Sequence, residues 1–240
     1  MTDRFDEDAL VREQYAAPDN LRARKAAYVN AEGDDPRDFL FAAIAAENPR
    51  RVLEVGGGEG ELAERIANEL GIEVIGVDQS EGMVEIQRSK GIDARVGDVR
   101  ALPFDDGDFD LAVAAWMLYH VDDLDGALAE LGRVLEPGGV LVATTNSRAH
   151  MRELRDLAGL GERRWPLKFR SENGADALAQ HFAEVHRRDA HGSVLMDDAT
   201  IRGFAASSPW LAPLLTRPPW PEPIRAQTHS TVFVARKATP

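Results

Sequence analysis

The feature that most constrains the fold is a short apolar run that ends in a cluster of glycines. Residues 51–55 read Arg-Val-Leu-Glu-Val, four glycines follow within residues 56–60, and a helical pattern continues through 61–70. Glycine is required where the backbone takes a positive φ or where a ligand approaches the main chain closely. The N–H groups of the next helix's first turn then face that ligand with a partial positive charge. Tight turns of this kind also occur without ligands, so the rest of the chain must decide.

Downstream, apolar segments alternate with helical ones. Four more buried strands are predicted at 72–78, 93–97, 109–115 and 140–145, with helices at 81–90 and 124–135. This spacing indicates βαβ units in a parallel sheet with right-handed crossovers. Ligands of such sheets bind beyond the carboxyl ends of the strands. The glycines, Asp78, Asp98 and residues 115–119 all fall at those ends, which predicts a nucleotide-like pocket.

The flanking segments are predicted to cover this core. We expect one domain of 240 residues, with a helical N-terminal cover (1–48), a cofactor-binding core (49–145) and acceptor-side elements (146–240). Residues 31–36 are interpreted as a turn. Later helices are predicted at 147–157, 174–182 and 197–206, and the last strands at 184–190 and 231–236. Six prolines within 209–223 argue against a helix or central strand there.

Composition limits the partners. Lys and Arg number 28 against 41 Asp and Glu, a net charge of −13, so a nucleic-acid partner is not expected, because phosphate binding needs clustered cations. There is no cysteine and no apolar run of membrane-spanning length. The acidic first residues lack the basic and apolar regions of a secretory signal. We therefore expect a cytoplasmic protein without a membrane anchor, and no histidine–carboxylate spacing suggests a metal site.

Three acids suggest what the pocket binds. Asp78 follows the second strand about twenty residues after the glycines, where a carboxylate accepts from both hydroxyls of a ribose. Asp98 can accept from an exocyclic amine such as that of adenine, while the Val99 N–H donates to a ring nitrogen. Glu54, buried just before the glycines, needs a donor or a cation. It would repel a pyrophosphate and attract an ammonium, which favours a nucleoside that carries an amino acid. The alternatives are a helix cap for Asp78 and a turn residue for Asp98.

At this point the chain resembles the class I S-adenosylmethionine-dependent methyltransferases, in particular the small-molecule branch related to ubiquinone and menaquinone biosynthesis. The matching stretches are VLEVGGGEGELA (52–63), VIGVDQSEGMV (74–84), GDVRALPFDDGDFDLAVAAWMLYHV (97–121) and RVLEPGGVLVAT (133–144). The resemblance implies an α/β, doubly wound, Rossmann-like fold with seven mostly parallel strands in the order 3-2-1-4-5-7-6, the seventh antiparallel. It also implies S-adenosylmethionine as cofactor and S-adenosylhomocysteine as product. The cofactor-binding residues it implies are Glu54, Gly56, Gly58, Gly60, Asp78, Gln79, Met83, Asp98, Val99 and Ala115.

The acceptor side is less defined. We expect a small-molecule acceptor, with the methylated atom (O, N or C) and the oligomeric state unassigned. His120, Tyr15 and His150 are candidates for removing a proton, although His120 also fits a structural role at a helix entry. The other histidines are interpreted as surface or packing residues. Two alternatives stay open: an NAD-type Rossmann oxidoreductase or epimerase, against which Glu54 counts, and a binding module that holds the cofactor without catalysis.

Overall fold

A computed structural model describes residues 19–160 and 168–239 of the chain. In this part of the chain eight strands form one sheet in the order β1-β7-β8-β6-β5-β2-β3-β4. Their bounds are β1 Ala31–Gly33, β2 Arg51–Val55, β3 Glu73–Asp78, β4 Asp93–Val96, β5 Phe109–Ala115, β6 Leu135–Asn146, β7 Glu184–Met196 and β8 Ile224–Arg236. The strands β2 to β6 run parallel, and β8 is antiparallel to both β6 and β7.

The predicted α/β Rossmann-like fold is confirmed, including the order of seven strands and the antiparallel seventh. The eighth strand is a correction, because residues 31–33 were interpreted as a turn and instead pair antiparallel with the outer edge of β7. Gly192 permits the close approach: a Cβ built there would lie 2.4 Å from the Glu32 carbonyl oxygen. The outer edge of β7 thereby gains a short partner strand, whose three exposed residues carry no apolar pattern that would predict it.

Helices cover both faces of the sheet. Their bounds are α1 Asp19–Ala26, α2 Pro36–Ala46, α3 Glu61–Leu70, α4 Glu81–Ser89, α5 Leu124–Val134, α6 Arg152–Leu157, α7 Gly174–Leu178 and α8 Asp198–Ala206. One buried cluster places α2, α3 and α4 on one face, and a second places α5 and α7 on the other. The helices of these two clusters turn apolar residues toward the sheet, such as Ala63 and Ile66 of α3, which are three residues apart.

A third apolar cluster lies beyond the carboxyl ends of the parallel strands. There β7 and β8 extend past the last pairing of β6 with β8, at Asn146 and Ser230, so both strands are longer than predicted. We call the cap the structure formed by these outer strand ends, α1, α6, α8 and a 3₁₀ helix at Pro209–Thr216. It buries its own core of residues that include Met151, Leu154, Val194, Met196, Ile201, Leu211 and Ala226.

The 3₁₀ helix contradicts the exclusion of helix from the proline-rich segment. The prolines include Pro209 at its first position and Pro213 inside it. A 3₁₀ turn needs only local i→i+3 bonds, such as that from the Leu211 N–H to the Ser208 carbonyl at 3.0 Å. Burial of Leu211 and Leu214 in the cap offsets the donor that Pro213 lacks. No helix in the described residues combines the length and apolar character that a membrane span requires.

Candidate functional site

The turn between β2 and α3 has the backbone that its glycines predict. Gly56, Gly58 and Gly60 have φ values of 64°, 57° and 71°. Gly60 occupies the N-cap position of α3 and therefore offers no side chain to the first-turn N–H groups. At Gly57 the requirement is space, since a Cβ there would lie 2.5 Å from Oε2 of Glu54. The chain thus folds tightly around one buried carboxyl group.

Glu54, on the preceding strand β2, supplies the hydrogen-bond acceptor that Gly60 cannot offer to the first turn of α3. Its side chain is buried, and the Ala63 N–H of the first turn of α3 donates to it. Burial raises the pKa of Glu54 to about 7, against the lowering effect of that N–H. Oε2 is buried without a hydrogen-bond partner among the described residues. An unpartnered acid oxygen at this turn suits an incoming ammonium group, which would favour the ionised form.

Asp78, at the end of β3, holds the glycine turn in place. One carboxylate oxygen accepts from the Gly58 N–H at 3.1 Å and the other from the Ser80 N–H at 2.9 Å. Burial raises the pKa of Asp78, and these N–H groups oppose that effect. The helix N-cap is Ser80, whose hydroxyl accepts from Met83 N–H at 3.4 Å. Asp78 is therefore a brace for the turn as well as a candidate ribose acceptor.

Four predicted segments adjoin one another at the carboxyl edge of the sheet. Besides the contact of Gly58 with Asp78, the Gly97 N–H donates to the Asp78 carbonyl at 3.0 Å. A Cβ at Gly56 would lie 2.8 Å from Cβ of Met117, so the segment after Ala115 packs directly on the glycine turn. Of the two residues expected near the adenosine, Gln79 is exposed and Met83 is buried.

Asp98 is engaged by a neighbouring cation. The Arg100 guanidinium binds both of its oxygens, with nitrogen–oxygen distances of 3.0 and 2.6 Å, and the Arg100 N–H donates to the same carboxylate at 2.9 Å. These bonds lower the pKa of Asp98. Val99 beside it is buried. An exocyclic amine that approaches Asp98 therefore competes with Arg100.

The segment after β5 turns sharply toward the cap. Trp116 has a φ of 52°, and its indole N–H donates to Oδ1 of Asn146 at 3.1 Å. A 3₁₀ helix at Leu118–His120 follows. Burial, reinforced by the positive charge of Arg24, lowers the pKa of His120 to about 3. At neutral pH His120 is thus uncharged and a weak base.

Helix α1 lies over the glycine turn. Glu59, buried at 7% exposure, pairs with Arg22 at 2.7 Å and with Lys25 at 3.5 Å, and Lys25 also pairs with Glu61 at 2.9 Å. Leu21 approaches within 3.0 Å of the position a Cβ would take on Gly58. The sequence analysis predicts a cover here but does not identify Glu59. The pattern that could have indicated it is a pair of cations three residues apart, Arg22 and Lys25, together with the acids of the glycine turn. Tyr15 lies outside the described residues.

His150 belongs to a polar cluster inside the cap. Its Nδ1 accepts from the His229 N–H at 3.2 Å, which places the proton of the neutral ring on Nε2. Nε2 lies 2.8 Å from the Tyr28 hydroxyl, and that hydroxyl in turn reaches Sδ of Met151 at 3.5 Å. Burial lowers the pKa of His150 to about 4 and raises that of Tyr28. The basic lone pair is on Nδ1, where the His229 N–H occupies it, so His150 could act as a base only if that hydrogen bond opened.

Comparison with known proteins gives a consistent result. Residues 53–143 match the family described as a methyltransferase domain. Demethylmenaquinone methyltransferase of Renibacterium salmoninarum is 39% identical over 108 residues, which are 44% of this chain and 45% of that protein. The chain spans about half the length of the curated relatives it matches.

Solved structures match almost the whole chain. The [4+2]-cyclase SpnF has a TM-score of 0.68 at 20% identity, covering 98% of this chain and 97% of that one. Phosphoethanolamine N-methyltransferase 2 of Haemonchus contortus, in complex with phosphomonomethylethanolamine and S-adenosylhomocysteine, has a TM-score of 0.66 at 17% identity, covering 98% and 61%. At these identities the likeness concerns the fold alone.

Proposed function

We propose that the chain is a class I methyltransferase similar to those of ubiquinone and menaquinone biosynthesis, and that it transfers a methyl group from S-adenosylmethionine to a small-molecule acceptor. The observation that carries this proposal is Glu54. Its buried, unpartnered Oε2 lies inside the glycine turn, where an amino-acid ammonium would pair with it. The same acid would repel the pyrophosphate of a dinucleotide, which disfavours the NAD-type alternative.

The neighbouring residues complete a cradle for such a cofactor. Glu54 would hold the ammonium, and Asp78 would accept from the ribose hydroxyls through the lone pairs that Gly58 and Ser80 leave. The Val99 N–H and the Asp98 carboxylate would hydrogen-bond adenine, after Arg100 gives up one of its hydrogen bonds to Asp98. Gly56, Gly60, Gln79, Met83 and Ala115 would line the remaining walls.

The acceptor would lie between this cradle and the cap. Here the polar side chains are His120 after β5, His150 after β6, and Arg24 and Tyr28 from the N-terminal segment. The matched domain ends at residue 143, before the cap elements that follow β6. Residues outside the matched domain would therefore select the acceptor. We also propose the boundaries 1–48, 49–145 and 146–240 for cover, cofactor core and acceptor side, and a cytoplasmic location.

In the proposed reaction the protein acts chiefly by positioning. When bound, the cofactor supplies an electrophilic methyl group on a sulfonium. The cap and Leu118–His120 would hold the acceptor in line with it and exclude water, and such ordering accounts for much of the acceleration in comparable reactions. His120 and His150 are neutral and weakly basic. His120, or Nε2 of His150 in exchange for its Tyr28 contact, would orient an acceptor hydroxyl or amine by hydrogen bonding. An acceptor that loses its proton readily suits such weak bases best.

Two measurements test the proposal. Titration calorimetry with S-adenosylhomocysteine and with NAD should give binding of the first alone, and tight NAD binding would overturn the assignment. Turnover is then measured with labelled S-adenosylmethionine and a library of phenols, quinols and amines. Cofactor binding without transfer to any of them would favour the non-catalytic alternative.

A further inference from the structure

Two histidines and a carboxylate meet on one face of the antiparallel pair formed by β7 and β8. Asp189 and His191 are two residues apart on β7, so their side chains share a face, and His229 is directly opposite His191 on β8. Nε2 of His229 is 3.4 Å from Oδ1 of Asp189, and the two imidazole rings have centroids 4.2 Å apart. Sequence analysis had interpreted both histidines as surface or packing residues, because only the strand register brings them together.

The backbone on which these side chains stand is fixed from both sides. The His191 N–H donates to the Asp34 carboxylate at 3.1 Å, and its carbonyl accepts from the Asp34 N–H at 2.9 Å. The His229 N–H donates to His150, and its carbonyl accepts from the Ser147 N–H at 3.0 Å. Metal-ligating side chains on a rigid backbone lose little conformational freedom when the ion binds, which favours a preformed site.

We propose that Asp189, His191 and His229 bind a divalent transition-metal ion such as Zn²⁺. One donor atom from each of the three lies within 4.8 Å of the others. The ligand atoms of tetrahedral zinc, at about 2.0–2.1 Å from the ion, are about 3.4 Å apart. Nε2 of His229 lies 3.4 Å from Oδ1 of Asp189, so the carboxylate is within reach of an ion held by this histidine. His191 is exposed, so rotation of its ring closes the remaining gap.

The surroundings allow access and supply outer contacts. An open cleft of about 620 Å³ reaches His191 and His229 and is also lined by Glu32 and Gln227, so solvent ligands can complete the coordination. Thr231 and Arg187 both donate to Oδ1 of Asp189 at 2.5 Å. Oδ2 makes no hydrogen bond within the described ranges 19–160 and 168–239 and faces no such competitor.

The charge of Arg187 selects among metals and geometries. The Arg187 guanidinium partly neutralises the Asp189 carboxylate. This weakens the binding of hard ions, which depend on carboxylate charge, more than the binding of ions with a strong affinity for imidazole. The pair of histidines therefore points to Zn²⁺, Co²⁺ or Ni²⁺ instead of Mg²⁺ or Ca²⁺. A bound ion would link β7 to β8 in the cap, close to the His150–Tyr28 pair but separate from the cofactor cradle.

The test uses the untagged full chain, stripped with a chelator. Calorimetry with Zn²⁺ should give one ion per chain, and Co²⁺ should give a visible absorption band that Zn²⁺ abolishes. His191→Asn and His229→Asn should each weaken Zn²⁺ binding by at least about 10–100-fold, the loss typical of removing even an outer-shell partner. His186→Asn is the matched control, because His186 is exposed on the opposite face of the same strand.

Three results would overturn the proposal: no Zn²⁺ binding tighter than about 0.1 mM, equal weakening by His186→Asn, or unchanged binding in both site variants. S-adenosylhomocysteine calorimetry on the same variants checks that they fold and separates this proposal from the proposed activity. Retained cofactor binding with lost metal binding supports the site. Because His191 is exposed, its variant keeps the test informative if His229→Asn disturbs the contact to His150.

Discussion

Binding of the cofactor product should release a proton from Glu54. The pKa of about 7 arises from burial, supported by the nearby charges of Asp78 and Glu61 and opposed by the Ala63 N–H and Lys25. An ammonium group placed beside Oε2 favours the ionised form, so the bound state holds fewer protons than the free state. The affinity for S-adenosylhomocysteine should therefore fall as the pH falls through 7.

The size of the effect follows from that pKa. If only the ionised form binds, the apparent dissociation constant is multiplied by about 11 at pH 6 and by about 1.1 at pH 8, a difference of about tenfold. Binding should release about 0.5 proton at pH 7 and about 0.9 at pH 6. Glu54→Gln cannot ionise, so it should bind more weakly at pH 8 and lose this dependence.

Calorimetry in buffers of different ionisation enthalpy measures both quantities. At pH 7 the observed enthalpy should vary linearly with the ionisation enthalpy of the buffer, with a slope of about −0.5 for the wild type, because the buffer takes up the released proton, and near zero for Glu54→Gln. Glu69→Gln, an exposed acid on α3, should behave as the wild type. A wild-type affinity that is equal at pH 6 and pH 8, or heat independent of the buffer, would refute the role given to Glu54.

Three further outcomes are expected. Asp78→Ala should weaken S-adenosylhomocysteine binding by about 10–100-fold, since it removes charged hydrogen bonds, and unchanged affinity would exclude Asp78 from the site. Gly57→Ala should lower both the affinity for S-adenosylhomocysteine and the melting temperature, because its Cβ would lie 2.5 Å from Glu54. Gly203→Ala on α8 is the control: its Cβ meets nothing within 4 Å, and it should stabilise the fold by about 0.5–1 kcal/mol in urea titrations. Similar effects of the two substitutions would contradict this. Since the folded pKa of His150 is depressed to about 4, the unfolded chain binds the proton first and the free energy of unfolding should fall as the pH is lowered from 6.5 to 4. His150→Asn should reduce that loss by up to about 3 kcal/mol, and an equal loss in the variant would show that the histidine does not titrate as described.

The parallel half of the sheet could be predicted because its strands are buried on both faces. Continuous apolar runs such as 109–115, separated by glycine stops and helical segments, leave few alternatives. The prediction that Asp78 lies at the glycine turn could be made because both follow directly on strand ends, and the Gly58 N–H donates to its carboxylate at 3.1 Å. In this half of the sheet, local residue preferences and the βαβ topology predict the same structure.

The cap could not be predicted in the same way, because its contacts join distant parts of the chain. Strand β1 forms only against β7, about 160 residues later, and its three residues carry no apolar alternation. The pairing of Glu59 with α1 and the meeting of His191 with His229 depend on packing and register, neither of which a local pattern encodes. The Tyr28–His150 contact bridges 122 residues for the same reason.

Helix α1 touches both halves of the proposed reaction. Through Arg22 and Lys25 it grips Glu59 at the cofactor turn, and through Arg24 it bonds Ser207 at the end of α8, with a nitrogen–oxygen distance of 2.6 Å to the Ser207 carbonyl. A helix shared in this way is a physical link between the proposed cofactor site and the proposed acceptor site. If cofactor occupancy tightens α1 against the turn, it also tightens the acceptor wall, and thermodynamic linkage requires the acceptor to strengthen cofactor binding by the same factor.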